Sequence, residues 1–152
     1  MNEQSSGMTF GGAASMMPQE ELLETAVRSS RLVVGIPREL SPNESRIALI
    51  PAAVKLLCEH GQQVIIEERA GEKAHFSDHE YAEAGAEIVR DRERIFQADI
   101  ILKIAPPIRE EIELIEKKRS LFSVLNLPTR TRDYFQQLMT KKVHAIAFEN
   151  IQ

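Results

Sequence analysis

Residues able to hold a small anion recur at the ends of this chain's apolar runs. Arg38, Glu39, Asn43, Glu44 and Arg46 follow Leu32–Ile36, and Lys103 closes Asp99–Ile104. Asn126 follows Leu121–Leu125, and Glu149 and Asn150 follow Val143–Phe148. A guanidinium grips a carboxylate through two parallel N–H bonds, and an ammonium adds a point charge. Gathered at one edge, two arginines and a lysine point to a small carboxylate. Lys103 is the most informative of them, because a lysine is seldom buried unless paired and this one ends an apolar run. Each also has a plainer reading. Lys103 can be half of a structural ion pair, Arg46 a loop residue paired with Glu44, and Asn126 a turn residue bonded to backbone. Glu149 can pair structurally with an arginine or lysine.

Other chemistries find little support. The last glycine is Gly85, so no GxGxxG, P-loop or GxSxG elbow is present and a dinucleotide pyrophosphate has no cradle here. His75 and His79 are four apart, but Ser77 and Glu80 have capping-box spacing, which puts His75 ahead of the helix and spoils a metal pair. His60 ends a helix and His144 starts a strand. Cys58, the single cysteine, sits on an apolar helix face and reads as core, with no disulfide or zinc cluster possible. The runs Arg90–Arg94 and Lys117–Arg119 read as solvated surface.

The elements that must position the edge residues alternate. Strands are predicted at Leu32–Ile36, Val64–Ile66, Ala86–Val89, Asp99–Ile104, Leu121–Leu125 and Val143–Phe148. Helices are predicted at Pro51–His60, from Ser77 to Gly85, as a turn over Asp91–Gln97, at Ile108–Lys118 and at Thr131–Lys142. In Ile108–Lys118 the acids come first and the lysines last, matching the helix dipole. This alternation with short links predicts a doubly wound α/β domain: a mostly parallel sheet with helices on both faces, Rossmann-like or flavodoxin-like. Ligands of such sheets sit beyond the carboxyl ends of the strands, where the candidate residues fall. Residues 1–17 read as a flexible arm, 18–30 as an appended helix, and 31–152 as the α/β domain. The chain stops almost at the end of its last strand, so a fragment of a longer protein is expected.

Composition agrees. The 152 residues are 43% hydrophobic and 5% aromatic, which calls for an aliphatic core. A net charge of −4 argues against nucleic-acid binding through a basic field, and no apolar run is long enough to cross a membrane. The N-terminus lacks an export signal, which with the single cysteine suggests a cytoplasmic setting.

Motifs in order then suggest a family. Gly35-Ile36-Pro37-Arg38-Glu39, Asn43-Glu44-Ser45-Arg46-Ile47-Ala48, Pro51 and Gly61 resemble the opening of alanine dehydrogenases and of transhydrogenase alpha subunits. The resemblance continues through Ala70-Gly71, Phe76-Ser77-Asp78, Ala84-Gly85-Ala86, Ala98–Lys103 and Ala145–Glu149. It implies the N-terminal, substrate-side domain of an oxidoreductase interconverting L-alanine with pyruvate and ammonia. It also implies NAD or NADP held by a downstream domain, a substrate in the cleft between the domains, and a homo-oligomer. Arg46 would hold the substrate carboxylate, and Lys103, as the catalytic residue, would contact the carboxylate and the carbonyl or imine end. Asn126 falls where alanine dehydrogenases carry a catalytic histidine. An amide hydrogen-bonds a carbonyl but is no general acid or base near neutrality. Transhydrogenase alpha subunits also lack that histidine, so they are the second reading. A non-catalytic module that binds a small carboxylate is the third. Ile47 and Ile50 further depart from the usual Val and Thr or Ser.

Overall fold

In the computed structural model, residues 31–150 are described. The arm and appended helix expected before Arg31 lie outside them. Six strands, β1 (Val33–Ile36), β2 (Gln63–Glu67), β3 (Glu87–Val89), β4 (Ile100–Leu102), β5 (Ser120–Ser123) and β6 (His144–Ala147), form one sheet. Its order is β3-β2-β1-β4-β5-β6 and every pair is parallel. The order reverses between β1 and β4, which is the Rossmann order and not the flavodoxin one. Five helices cross between the strands: α1 (Pro51–Glu59), α2 (Asp78–Glu83), α3 (Arg92–Phe96), α4 (Arg109–Leu114) and α5 (Arg132–Thr140).

Strand alternation sorts the core onto two faces. Val34, Ile36, Val64 and Ile66 pack with Val54 of α1 and with Tyr81 and Ala84 of α2. Ile65 packs with Ile95 of α3, while Ile101 and Leu121 meet Phe96, Ile112 of α4 and Leu138 of α5. Each aliphatic side chain so buried stabilises the fold by about 1.5–3 kcal/mol. Cys58 is half-buried and packs against the first of these clusters.

Local chemistry sets the boundaries. Pro51 begins α1, and the expected capping box of Ser77 and Glu80 opens α2, leaving His75 outside the helix. The helix expected to run to Lys118 stops earlier. Ile115 turns extended and is fully buried among Ile112 and Leu121, so the lysines fall beyond the helix and do not meet its dipole. Lys141 of the neighbouring segment instead caps the freed carbonyls of Glu113 (2.7 Å) and Ile115 (3.0 Å).

Gly35 lies where α3 crosses β1. A Cβ there would collide with the Ile95 carbonyl and stand 2.9 Å from the Ala98 Cβ. Gly35→Ala is therefore expected to cost about 1–3 kcal/mol by overpacking, read as a lowered urea midpoint with an unchanged slope.

Candidate functional site

The carboxyl ends of the parallel strands carry a buried set of charges. Lys103, one residue past β4, is 2% exposed, and its Nζ donates to Glu39 Oε2 at 2.5 Å. Glu39 Oε1 accepts the backbone N–H of Ile104 at 2.6 Å and of Ala105 at 3.3 Å. Glu111 of α4 lies 3.5 Å from the same ammonium and caps its own helix through the Ile108 N–H at 3.0 Å. Arg92, opening α3, bridges Glu67 of β2 and Glu111, and Glu67 accepts the Arg38 N–H at 2.8 Å. Two cations and three carboxylates thus link the ends of β1, β2 and β4 with the starts of α3 and α4.

Lys103 is therefore a paired, buried lysine. The same pairing tests the fit of a dinucleotide. In a sheet of this order a pyrophosphate sits in the crevice between β1 and β4, against the helix that follows β1. Here the Glu39 carboxylate takes the loop N–H groups of that crevice, and α1 does not begin until Pro51. These residues do not fit a dinucleotide pyrophosphate.

Above the buried charges lies a cleft of about 200 Å³. Its lining includes Asn43, Glu44, Arg46, Ile104, Ala105 and Asn126. Arg46 and Asn126, from loops far apart in sequence, thus meet at one cleft. Lys103 does not line it; its chain neighbours Ile104 and Ala105 do. Arg46 is exposed, and Glu44 accepts its Nε at 2.8 Å, its Nη2 at 2.7 Å and its backbone N–H at 3.0 Å. Those bonds hold the Glu44 carboxyl down from 4.5 to about 2. Lys73 steadies this loop from outside, donating to the carbonyls of Ser41 (2.8 Å), Glu44 (3.3 Å) and Glu39 (3.4 Å).

Asn126 is a turn residue with φ of 48°, a left-handed conformation that asparagine tolerates well. Glu149 fixes that turn, accepting the N–H of Asn126 at 2.8 Å and of Leu125 at 3.0 Å. Its carboxyl is lowered chiefly by the bond from its own backbone N–H, with the Asn126 and Leu125 bonds adding to it. Glu149 pairs with backbone, then, and not with an arginine or lysine. The side chain of Asn150 lies outside the described set.

Sequence reasoning missed Arg92, Lys73, Glu67 and Glu111. Arg92 is the clearest correction, for the run Arg90–Arg94 is not all solvated surface. Opening α3 at the carboxyl edge puts Arg92 within reach of two buried acids. Among the described residues no cluster could hold a metal ion, and no helix is long and apolar enough to cross a membrane.

Comparison with known proteins gives a consistent set. Residues 35–152 match the family described as "Alanine dehydrogenase/PNT, N-terminal domain". An alanine dehydrogenase of Staphylococcus saprophyticus is 36% identical over 121 residues, covering 80% of this chain and 32% of that protein. Alanine dehydrogenase 2 of Staphylococcus aureus is 37% identical over 119 residues, covering 78% and 32%. Among solved structures, an L-alanine dehydrogenase superposes with a TM-score of 0.74 at 35% identity, covering 78% of this chain and 32% of that one. A transhydrogenase from Sinorhizobium meliloti superposes at 0.71 with 28% identity, covering 77% and 33%. The chain thus spans about a third of the length of these relatives.

Two outcomes follow from the geometry. Lys103→Met leaves buried carboxylates unpaired and is expected to cost about 3–5 kcal/mol, against under about 1 kcal/mol for Arg46→Ala, by urea unfolding. Because pairing lowers the Glu44 carboxyl, its contribution to stability is complete above about pH 4.5 and is lost as pH falls toward 2. By carboxyl NMR its titration midpoint should lie near 2 and move toward 4.5 in Arg46→Ala.

Proposed function

This chain belongs to the alanine dehydrogenase/PNT N-terminal domain family, and on that premise we propose that it is the substrate-side domain of an alanine dehydrogenase-like oxidoreductase. The reaction is the interconversion of L-alanine with pyruvate and ammonia by hydride transfer. NAD or NADP serves as the hydride carrier when bound by a further domain, because the β1–β4 crevice here is filled by Glu39. On the same reading the parent protein is a cytoplasmic homo-oligomer.

The observation that carries the proposal is the shared cleft of Arg46 and Asn126 at the carboxyl edge of the sheet. A substrate carboxylate would pair with the Arg46 guanidinium, and the Asn126 amide would hydrogen-bond the carbonyl, imine or amine of the 2-carbon. The apolar lining of Ile104, Ala105, Pro106 and Val124 suits a methyl group. Lys103 contributes as a positioning residue, because its ammonium is committed to Glu39 below the cleft floor. The catalytic contact implied by the family resemblance would need that pair to open.

One observation favours a second reading within the family. Asn126 has no proton to exchange near neutrality, so amination chemistry would need another proton donor, whereas nucleotide-to-nucleotide hydride transfer would not. The parent would then be a transhydrogenase, with Arg46 retained for architecture.

The deciding assay follows NADH oxidation by the full-length parent with pyruvate and ammonia. Turnover that falls at least about a hundredfold in Arg46→Ala is expected, the scale of losing a bidentate charged anchor. Transfer between nucleotides with no pyruvate-dependent turnover would overturn the dehydrogenase reading. The 152-residue chain alone is expected to oxidise no NADH.

A further inference from the structure

We infer that Glu44 is a positioning residue for Arg46, holding the guanidinium side-on so that only its outer edge is offered to a substrate carboxylate. This rests on the proposal that Arg46 is the carboxylate anchor.

Four observations converge on it. Glu44 spans one edge of the guanidinium, taking Nε on one oxygen and Nη2 on the other. A guanidinium presents five N–H donors in one plane, so the second edge, between Nη1 and Nη2, stays available. Arg46 Nη1 has no hydrogen-bond partner among the described residues. Exposure then says which partner is the fixed one: the side chain of Glu44 is 13% exposed and that of Arg46 is 70% exposed. The loop itself is tied at Glu44, whose carbonyl accepts from Lys73 at 3.3 Å and whose N–H donates to Ser41 O at 3.2 Å. A carboxylate this firmly held is not a placeholder that the substrate must expel.

The arrangement also sets charge. Glu44 neutralises Arg46, and no other cation lines this cleft, while Arg38, Arg69 and Lys73 line a neighbouring cleft of about 270 Å³ that shares both residues. One incoming carboxylate can use the open edge, while a second carboxylate on the same ligand would face an apolar lining and the Glu44 charge. The site is thereby tuned to monocarboxylates.

Pyruvate and oxaloacetate, titrated by calorimetry into the full-length parent saturated with NADH and without ammonia, test this with Arg46→Ala and Glu44→Gln beside the wild type. The wild type should prefer pyruvate, and Arg46→Ala should abolish binding. Glu44→Gln, losing a charge-assisted bond, should weaken pyruvate about tenfold and narrow the preference over oxaloacetate. Pyruvate binding unchanged or tighter in Glu44→Gln overturns the inference and leaves the Arg46 anchor standing. No binding by the wild type, or binding that survives Arg46→Ala, overturns the anchor and the inference with it. Should Glu44→Gln not fold, the wild type suffices. The Arg46 Nε–H resonance should stay slow to exchange at pH 7.5, where a free arginine exchanges fast, and rapid exchange there overturns the inference.

Discussion

One buried ion pair, Lys103 with Glu39, organises the working edge of this domain. It sits where the strand order reverses, joining the chain just past β1 to the chain just past β4. Two charges removed from water are costly, and the pair persists because its remaining valences are also met. Glu39 takes two loop N–H groups, and Glu111 and Arg92 extend the charge network to Glu67. With the crevice closed in this way, the Pro37–Arg46 loop runs over the top and a small cleft remains above it. The crevice that would take a nucleotide in a sheet of this order is occupied by the Glu39 and Lys103 side chains.

The loops over that floor are stiffened by contacts that cost little sequence. Lys73 reaches three carbonyls of the Arg46 loop, and Glu149 holds the Asn126 turn through two backbone N–H groups. Neither side chain needs to touch a ligand for the cleft to keep its shape. The division is consistent with chemistry in which orientation contributes more than any single reactive group. On the proposed reading, dehydrogenase and transhydrogenase are separated by what happens beside Asn126, whose amide is no general acid or base near neutrality.

Much of this architecture was legible because local patterns carried it. Alternating β-branched runs and amphipathic segments gave the element order, and parallel topology then placed Arg46, Lys103 and Asn126 at one edge. The rule that a buried lysine needs a partner anticipated pairing at Lys103, though not that Glu39 would supply it. What stayed hidden was long-range choice of partner. Arg92 looks like its charged neighbours until α3 begins at the carboxyl edge and meets Glu67 and Glu111. The early end of α4 was equally invisible, since it depends on Ile115 finding the core and Lys141 capping the carbonyls left behind. Pairing with a cation was open to Glu149 in the sequence, because nothing local distinguishes that from a carboxylate holding backbone.

The most direct measurement is backbone amide shift mapping of the 152-residue chain as pyruvate is added. Perturbations confined to residues 41–46, 104–106 and 124–126 are predicted, with the Lys103–Glu39 region beneath them nearly still. A cleft of about 300 Å³ at the other edge of the sheet, lined by Val33, Gln63, Arg94 and Arg119, is one competitor, and the cleft of about 270 Å³ lined by Arg38, Arg69 and Lys73 is another. Shifts gathered at either would contradict a carboxylate site built on Arg46 and Asn126.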